Sequence, residues 1–361
     1  MQLPPATRRA LPPRLLPLAT GEVLDRHARP LRSLRLSLTD RCNLRCSYCM
    51  PRDCYGWLPR ADLLDFEELE RLVAVFCAQG VRRLRLTGGE PLLRRDLAGL
   101  VARLARQPGL EDLALTTNGV LLEDQVAGLA AAGLRRITVS LDTLVPERFQ
   151  ALTRRDEHAR VLRGIAAAAA APLAELKLNV VVLRGFNDDE LPDLLAFGRE
   201  LGAEVRFIEY MDVGGATDWR PERVVGREEL LARLAAALGP LTPLGRERAA
   251  ATATRFALAD GASFGLVTST TAPFCGDCDR SRVTADGQWL RCLYATEALD
   301  LRAALRAGAS EAELAGLIAR VWAARSDRGA EERLRAAARG PWRDGGELRA
   351  EPHLEMHTRG G

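Results

Sequence analysis

Between residues 31 and 215, short apolar runs of strand length alternate with longer stretches whose apolar positions recur at helical spacing. Leu34–Leu38, Arg83–Thr87, Leu113–Thr117, Ile137–Leu141, Leu176–Leu183 and Val205–Tyr210 are leucine-rich or β-branched and predict strands. Helical patterns lie between them near 65–79, 93–106, 121–132, 158–171 and 189–201. Repetition of strand then helix predicts an α/β fold with parallel strands and crossover connections. Six such units are too few to close an eight-stranded barrel. An incomplete (βα)6 barrel of the TIM type fits them, and a doubly wound sheet is the alternative. In either architecture, chemistry gathers at the strand C-termini. The segments there are Thr39–Cys42, Thr87–Pro91, Thr116–Gly119, Ser140–Asp142 and Glu209–Asp212.

Past residue 215 the rhythm changes. Helical patterns near 227–238 and 310–324 flank short strands around Arg255–Leu258, Phe264–Thr268 and Gln288–Cys292, predicting a smaller C-terminal α+β extension. Residues 1–30, rich in proline and arginine, read as a flexible leader. The expected organisation is therefore a leader over 1–30, a partial barrel over 31–215, a second unit over 216–350 and a glycine-ending tail over 351–361.

A composition of 47% hydrophobic and 27% charged residues places the chain among globular proteins. The net charge of +3 gives no general argument for a nucleic-acid or membrane partner. No apolar run reaches the roughly 20 residues that span a bilayer, and the N-terminus lacks the order of a secretory signal. A cytoplasmic location with reduced thiols is expected, so the eight cysteines are better read as metal ligands or buried residues than as disulfides. Of 51 basic residues only Lys177 is lysine. Cys54 and Cys77 stand apart from the cysteine groups and are expected to be bystanders.

Cys42, Cys46 and Cys49 form a Cys-x3-Cys-x2-Cys loop directly after the first predicted strand. Thiolates this close can wrap one cuboidal [4Fe–4S] cluster. Three protein ligands leave one iron open, and an open iron can take the amino and carboxylate groups of S-adenosylmethionine (SAM). Zinc or simple packing would be the alternatives, but zinc sites usually pair Cys-x2-Cys motifs or add histidine, and no histidine lies nearby. Gly88-Gly89-Glu90-Pro91, read alone, is an ordinary turn; beside the triad it becomes a place where backbone approaches the cofactor. A second triad, Cys275, Cys278 and Cys292, again lacks a neighbouring histidine. Read alone it is as well described by half a zinc ribbon as by a second cluster. The first triad favours the cluster.

With these motifs stands a wider match. Leu34-Arg-Leu-Ser-Leu-Thr-Asp-Arg-Cys42, Arg206-Phe-Ile-Glu-Tyr-Met211-Asp-Val-Gly and Phe274-Cys275 are similar to segments of the GTP cyclases of molybdenum-cofactor biosynthesis, the MoaA family of radical SAM enzymes, and the resemblance runs from about Pro30 to Gly361. It implies conversion of GTP to 3′,8-cyclo-7,8-dihydro-GTP by a 5′-deoxyadenosyl radical that abstracts the ribose 3′ hydrogen. It also implies two [4Fe–4S] clusters, the first handling SAM and the second binding guanine. By the same resemblance, SAM meets Tyr48, Gly88, Gly89, Glu90, Ser140 and Met211, and GTP meets Arg35, Arg85, Thr116, Lys177, Arg280 and Arg282. The terminal Gly360 and Gly361 would thread into the site and help position reactive groups. Implied partners are an electron donor such as a flavodoxin or ferredoxin system, and the cyclic pyranopterin monophosphate synthase that takes the product; a homodimer is compatible. Arginines suit a triphosphate independently, because guanidinium meets phosphate oxygens in bidentate geometry. A radical SAM peptide-modifying maturase with an auxiliary cluster is the competing reading. A nucleic-acid-binding zinc protein is the non-enzyme alternative, and it would need a basic face and paired zinc motifs that the sequence lacks.

Overall fold

The computed structural model describes residues 22–52 and 54–360. Its strands are β1 (Ser33–Ser37), β2 (Arg83–Thr87), β3 (Asp112–Thr117), β4 (Arg136–Ser140), β5 (Glu175–Val182), β6 (Glu204–Glu209), β7 (Thr242–Gly245), β8 (Thr254–Ala257), β9 (Ser263–Val267), β10 (Arg280–Val283), β11 (Gln288–Leu290) and β12 (Leu299–Asp300). They form one sheet in the order β12-β11-β10-β1-β2-β3-β4-β5-β6-β9-β8-β7. The first six strands neighbour one another in chain order, all parallel. That sequence of neighbours is a barrel's; a doubly wound sheet reverses direction partway along. The sheet stays open.

The crossovers carry helices α1 (Phe66–Ala78), α2 (Leu97–Leu104), α3 (Leu122–Ala131), α4 (Pro146–Thr153), α5 (His158–Ala170) and α6 (Leu191–Glu200). α1 begins at a capping box in which Asp65 and Glu68 satisfy each other's backbone N–H groups. The sheet's outer face and these helices bury one continuous core that includes Leu34, Leu36, Leu84, Leu86, Leu115, Ile137, Val139 and Phe207. α4 escapes the periodicity because its first turn is polar; Phe149 and Leu152 alone anchor it.

The region after residue 215 differs from expectation in one respect that matters. Arg280–Val283, which none of the expected strands covers, is strand β10, parallel to β1 with Arg282 opposite Arg35. β9 extends the other edge, parallel to β6. The expected second unit thus shares a sheet with the barrel, and no short arginine-rich run announces such a partner on its own. The leader also needs correction. Residues 1–21 lie outside the described residues, but 22–30 are packed: Asp25 and Arg29 are buried as an ion pair and Leu24 bridges Pro30. Among the described residues no helix is long and apolar enough to cross a membrane.

Candidate active site

Strand alternation decides what the barrel interior contains. In β1 and β2, Leu34, Leu36, Leu84 and Leu86 face the helices, which leaves Arg35 and Arg85 on the inner face. Register then sets Arg282, Arg35 and Arg85 side by side across three strands. Burial pushes all three guanidinium groups down. Arg35 is pushed well below its ordinary value, with Arg282 and Arg280 adding repulsion; Arg85 falls to about 9 with help from Arg35, and Arg282 to about 10 with help from Arg280. None has a carboxylate partner among the described residues. Arg85 donates to the hydroxyls of Thr116 and Thr138, at 3.1 and 3.0 Å. Such a group of half-desolvated cations is unfavourable until an anion joins it.

One cavity lined by Arg35, Arg85, Thr116, Met211, Arg280 and Arg282 also contains Cys275, Cys278 and Cys292. Sequence motifs far apart in the chain are thereby brought together. The sequence reading missed Arg206, Asn179 and Tyr294, which share this lining. Arg206 had a signal, an arginine inside an apolar strand like Arg35 and Arg85; the other two had none. Lys177 lies elsewhere, around a depression nearer the strand N-termini that it shares with Arg35, Arg85, Arg206 and Arg280. It is 3% exposed, and its ammonium is partnered by Glu175. Burial and Arg206 lower its pKa all the same.

The first triad sits in the loop after β1. Arg45 and Ser47 donate their backbone N–H groups to the carbonyls of Thr153 and Leu152, while Asn118 Nδ2 reaches Cys42 Sγ at 3.7 Å. Burial raises the Cys42 thiol to about 11, with the Glu90 charge adding to it. Burial and the neighbouring thiols push Cys46 up, and burial with Cys42 pushes up Cys49. Three thiols that each disfavour ionisation, with no histidine or free carboxylate among them, suit an iron–sulfide core whose positive charge offsets their thiolates. In the second triad burial raises Cys275 and Cys292, but at Cys278 the opposing pull of Arg280 and Arg325 wins and brings the thiol down to about 7. Both donor sets fit an iron–sulfur cluster. Among the described residues no set of three His, Cys, Asp or Glu groups is arranged to hold a single metal ion.

Around the first triad, Gly88 (φ +145°) and Gly89 lie against the β1 loop, and a Cβ on Gly89 would stand 2.2 Å from the Arg41 carbonyl oxygen. The N–H groups of Gly89 and Glu90 donate to Thr39 and Arg41. Glu90 itself is fully buried, accepting from Thr117 Oγ1, Asn118 N and Leu92 N, and burial lifts it to about 7. Its carboxylate thereby ties the segment after β2 to the loop after β3. Tyr48 donates to Asp142 Oδ2 at 2.7 Å, and Ser140 ends β4 opposite Asn179.

Residues 352–360 pack against the rest of the protein. Residues 352–354 form a 3-10 turn and a short helix covers Met356–Arg359. Ser37 Oγ donates to the Thr358 carbonyl at 3.0 Å. The Gly360 carbonyl accepts from Arg35 at 3.1 Å and from Arg282 at 2.8 Å. Gly361 lies outside the described residues. The tail is anchored where His353 Nε2 meets Asp286 Oδ2 at 2.8 Å. Asp286 raises the His353 pKa above its ordinary value, so the pair's contribution is complete below about pH 6.5 and fades as pH climbs through the raised folded value. His353→Gln should remove that alkaline decline. Thermal melts of both proteins across pH 6 to 9 check this; parallel curves would reject it.

The fold, the thiol loop and the Gly-Gly-Glu-Pro segment define a radical SAM enzyme. A family model described as Radical SAM superfamily matches residues 36–198, and one described as Molybdenum Cofactor Synthesis C matches residues 203–331. The GTP 3′,8-cyclase 1 of Mycobacterium tuberculosis is 52% identical over 355 residues, covering 97% of this chain and 99% of that protein. The GTP 3′,8-cyclase of Acidothermus cellulolyticus is 48% identical over 324 residues, covering 87% and 89%. The chain belongs to the GTP 3′,8-cyclase family. Streptococcus suis SuiB, solved with its precursor peptide SuiA, has a TM-score of 0.58 at 15% identity over 86% of this chain and 68% of that one. That likeness is one of fold alone, and the competing maturase reading gains nothing further from it.

Proposed function

We propose that this radical SAM enzyme, whose family uses SAM and iron–sulfur clusters, converts GTP to 3′,8-cyclo-7,8-dihydro-GTP in the barrel cavity, as the first step of molybdenum-cofactor biosynthesis. The observation that carries the reading is the set of buried, carboxylate-free arginines Arg35, Arg85 and Arg282 beside Cys275, Cys278 and Cys292. A polyanion with a ring able to meet a metal satisfies both halves. When bound to Cys42, Cys46 and Cys49, a [4Fe–4S] cluster supplies the electron that splits SAM into methionine and the 5′-deoxyadenosyl radical that takes the ribose 3′ hydrogen. Tyr48, Ser140, Met211 and the Gly88–Gly89 backbone orient the cofactor, with Glu90 holding that backbone in place. Arg35, Arg85, Lys177, Arg280, Arg282 and Arg206 bind the triphosphate, and Thr116 fixes the Arg85 fork. Cys275, Cys278 and Cys292 hold the second cluster, which meets guanine. Gly360, with Gly361 beyond it, presents a backbone carbonyl between Arg35 and Arg282. The electron comes from a flavodoxin or ferredoxin system, and the product passes to cyclic pyranopterin monophosphate synthase. A homodimer in the cytoplasm completes the reading.

The test is anaerobic reconstitution followed by reaction with GTP, SAM and a strong reductant. About eight irons and eight sulfides per chain, with cyclic dihydro-GTP and deoxyadenosine formed together, are expected. Deoxyadenosine without a GTP-derived product would overturn the substrate assignment. Lys177→Ala should weaken GTP affinity about tenfold, the effect of losing about 1.4 kcal/mol of charge contact, and leave SAM binding and iron content intact. Its aligned partner Glu175 keeps Arg136 in the variant, so the strand survives. Lys177→Arg should restore only part of the affinity, because the larger fork must fit a site 3% exposed. Wild-type GTP affinity in Lys177→Ala would place the lysine in a structural ion pair only.

A further inference from the structure

Two buried arginines behind the second triad have no place in the scheme above. Arg29 and Arg325 have side chains 2% and 1% exposed, and they share Asp25, itself 0% exposed. Arg29 Nε donates to Asp25 Oδ2 at 2.7 Å, and its Nη1 donates to the carbonyls of Cys275 and Asp327 at 2.8 and 2.9 Å. Arg325 Nη1 donates to the Cys278 carbonyl at 2.9 Å, and its Nη2 approaches Cys278 Sγ at 3.6 Å. Trp322 lies 4.5 Å beneath the Arg325 guanidinium and donates its indole N–H to the Arg29 carbonyl. The arrangement draws on the N-terminal segment, on the turn after the helix Glu311–Ala323 and on the cysteine loop, three parts of the chain that need not meet for the barrel to form.

What the protein does not satisfy is equally informative. Arg29 Nη2 and Arg325 Nε are buried without a hydrogen-bond acceptor among the described residues. The nearest anion to Arg325 Nε is Asp327, whose Oδ2 stands 3.6 Å away and is also unsatisfied. Orphaned N–H groups on buried cations are costly. The same two guanidinium groups reach the cysteine loop, Arg325 at Cys278 Sγ and Arg29 at the Cys275 carbonyl, so they flank thiols whose cluster, once bound, would present acceptor sulfurs and an overall negative charge. Hydrogen bonds and positive charge directed at cluster sulfurs stabilise the more negative, reduced state.

We propose that Arg325, braced by Asp25 and Arg29, is a positioning residue that donates to the sulfur at Cys278 and to the second cluster, and so raises that cluster's reduction potential relative to the first. The inference rests on the proposed assignment of Cys275, Cys278 and Cys292 as ligands of a second cluster. Its chemical sense follows from the family's product. A dihydro ring formed by radical attack on guanine C8 needs one electron and one proton at the neighbouring nitrogen after the new C–C bond is made. A cluster held by Cys275, Cys278 and Cys292 would be able to supply that electron, and Arg325 would set how readily it is given up. Arg325 then acts on the electron's supply, not on substrate binding.

The test uses the full-length, reconstituted chain. Redox titration followed by electron paramagnetic resonance reads both clusters, and added SAM marks the signal of the first. In Arg325→Gln the second cluster's midpoint potential should move to a more negative value, the first cluster's should not move, and GTP affinity should stay within about twofold of wild type. Arg325→Lys, which keeps the charge but loses the fork, should fall between the two. An unmoved second potential in Arg325→Gln, in chains that carry both clusters, overturns the inference. So does loss of the second cluster in Arg325→Gln combined with a wild-type potential in Arg325→Lys, since the arginine would then serve assembly only. Four irons per wild-type chain would instead overturn the assignment of the second triad itself.

Discussion

Cys42→Ser, Cys46→Ser or Cys49→Ser is expected to abolish deoxyadenosine formation altogether. The loop that carries these thiols is fixed by Thr153, Leu152 and Asn118, so a lost ligand cannot be replaced by a shift of the backbone. Burial disfavours the thiolate at each position, and only bound metal reverses this. No other cysteine can step in: Cys77 is buried on α1, and Cys54 is exposed. The same substitution at Cys275, Cys278 or Cys292 should leave deoxyadenosine formation running while GTP cyclisation is lost, because these thiols line the substrate cavity and not the first loop. Anaerobic assays that quantify deoxyadenosine, cyclic product and iron in the six variants separate the two roles. SAM cleavage at the wild-type rate in Cys46→Ser would sink the assignment of the first triad.

The second large effect is expected at Gly360. Its φ of +66° belongs to the left-handed region, which costs an alanine about 1 kcal/mol or more. Space opposes the change more strongly, since a Cβ would stand 2.3 Å from Thr87 Cγ2 and 3.0 Å from Ser37 Oγ. The tail must therefore move, and the carbonyl held by Arg35 and Arg282 moves with it. Two hydrogen bonds to charged donors, each contributing about 1.5 kcal/mol, are at risk, so cyclisation should fall about a hundredfold. Iron content and SAM cleavage should remain, because the first triad does not touch Gly360 among the described contacts. Cyclic product at the wild-type level from Gly360→Ala would show that the tail is packed but idle.

Much of this was open to a reader of the sequence. The six alternations of strand and helix predict the parallel neighbours β1 to β6, because period-two and period-3.6 patterns are local properties of the chain. Cys42, Cys46 and Cys49 announce themselves, since their ligand geometry fits within one loop. An arginine amid leucines in β1 or β2 is conspicuous for the same local reason: an apolar strand rarely admits a charge without a use for it.

What the tertiary structure alone decided is everything that depends on which distant segments meet. Only strand pairing shows that Arg280–Val283 lies beside β1, which places Arg282 next to Arg35. Lys177 finds a partner through its own strand, two residues back, a spacing that looks like alternation and is in fact an ion pair on one face. Glu90 stands in the most suggestive motif of the sequence, yet folding encloses it completely and turns its carboxylate to bracing loops. The N-terminal residues 22–30 look disposable because they carry no periodic apolar positions, and for the tail only the resemblance speaks. Both are ordered by long-range polar contacts, Asp25 with Arg325 at one end, Gly360 with Arg35 and Arg282 at the other. Residue types and their spacing determine the elements and single out the first cysteine triad as candidate metal ligands, which are matters of a few neighbouring positions. Charge pairing inside the barrel is set by contacts across hundreds of residues, and only the pairing of distant strands in one sheet brings those groups within reach of one another.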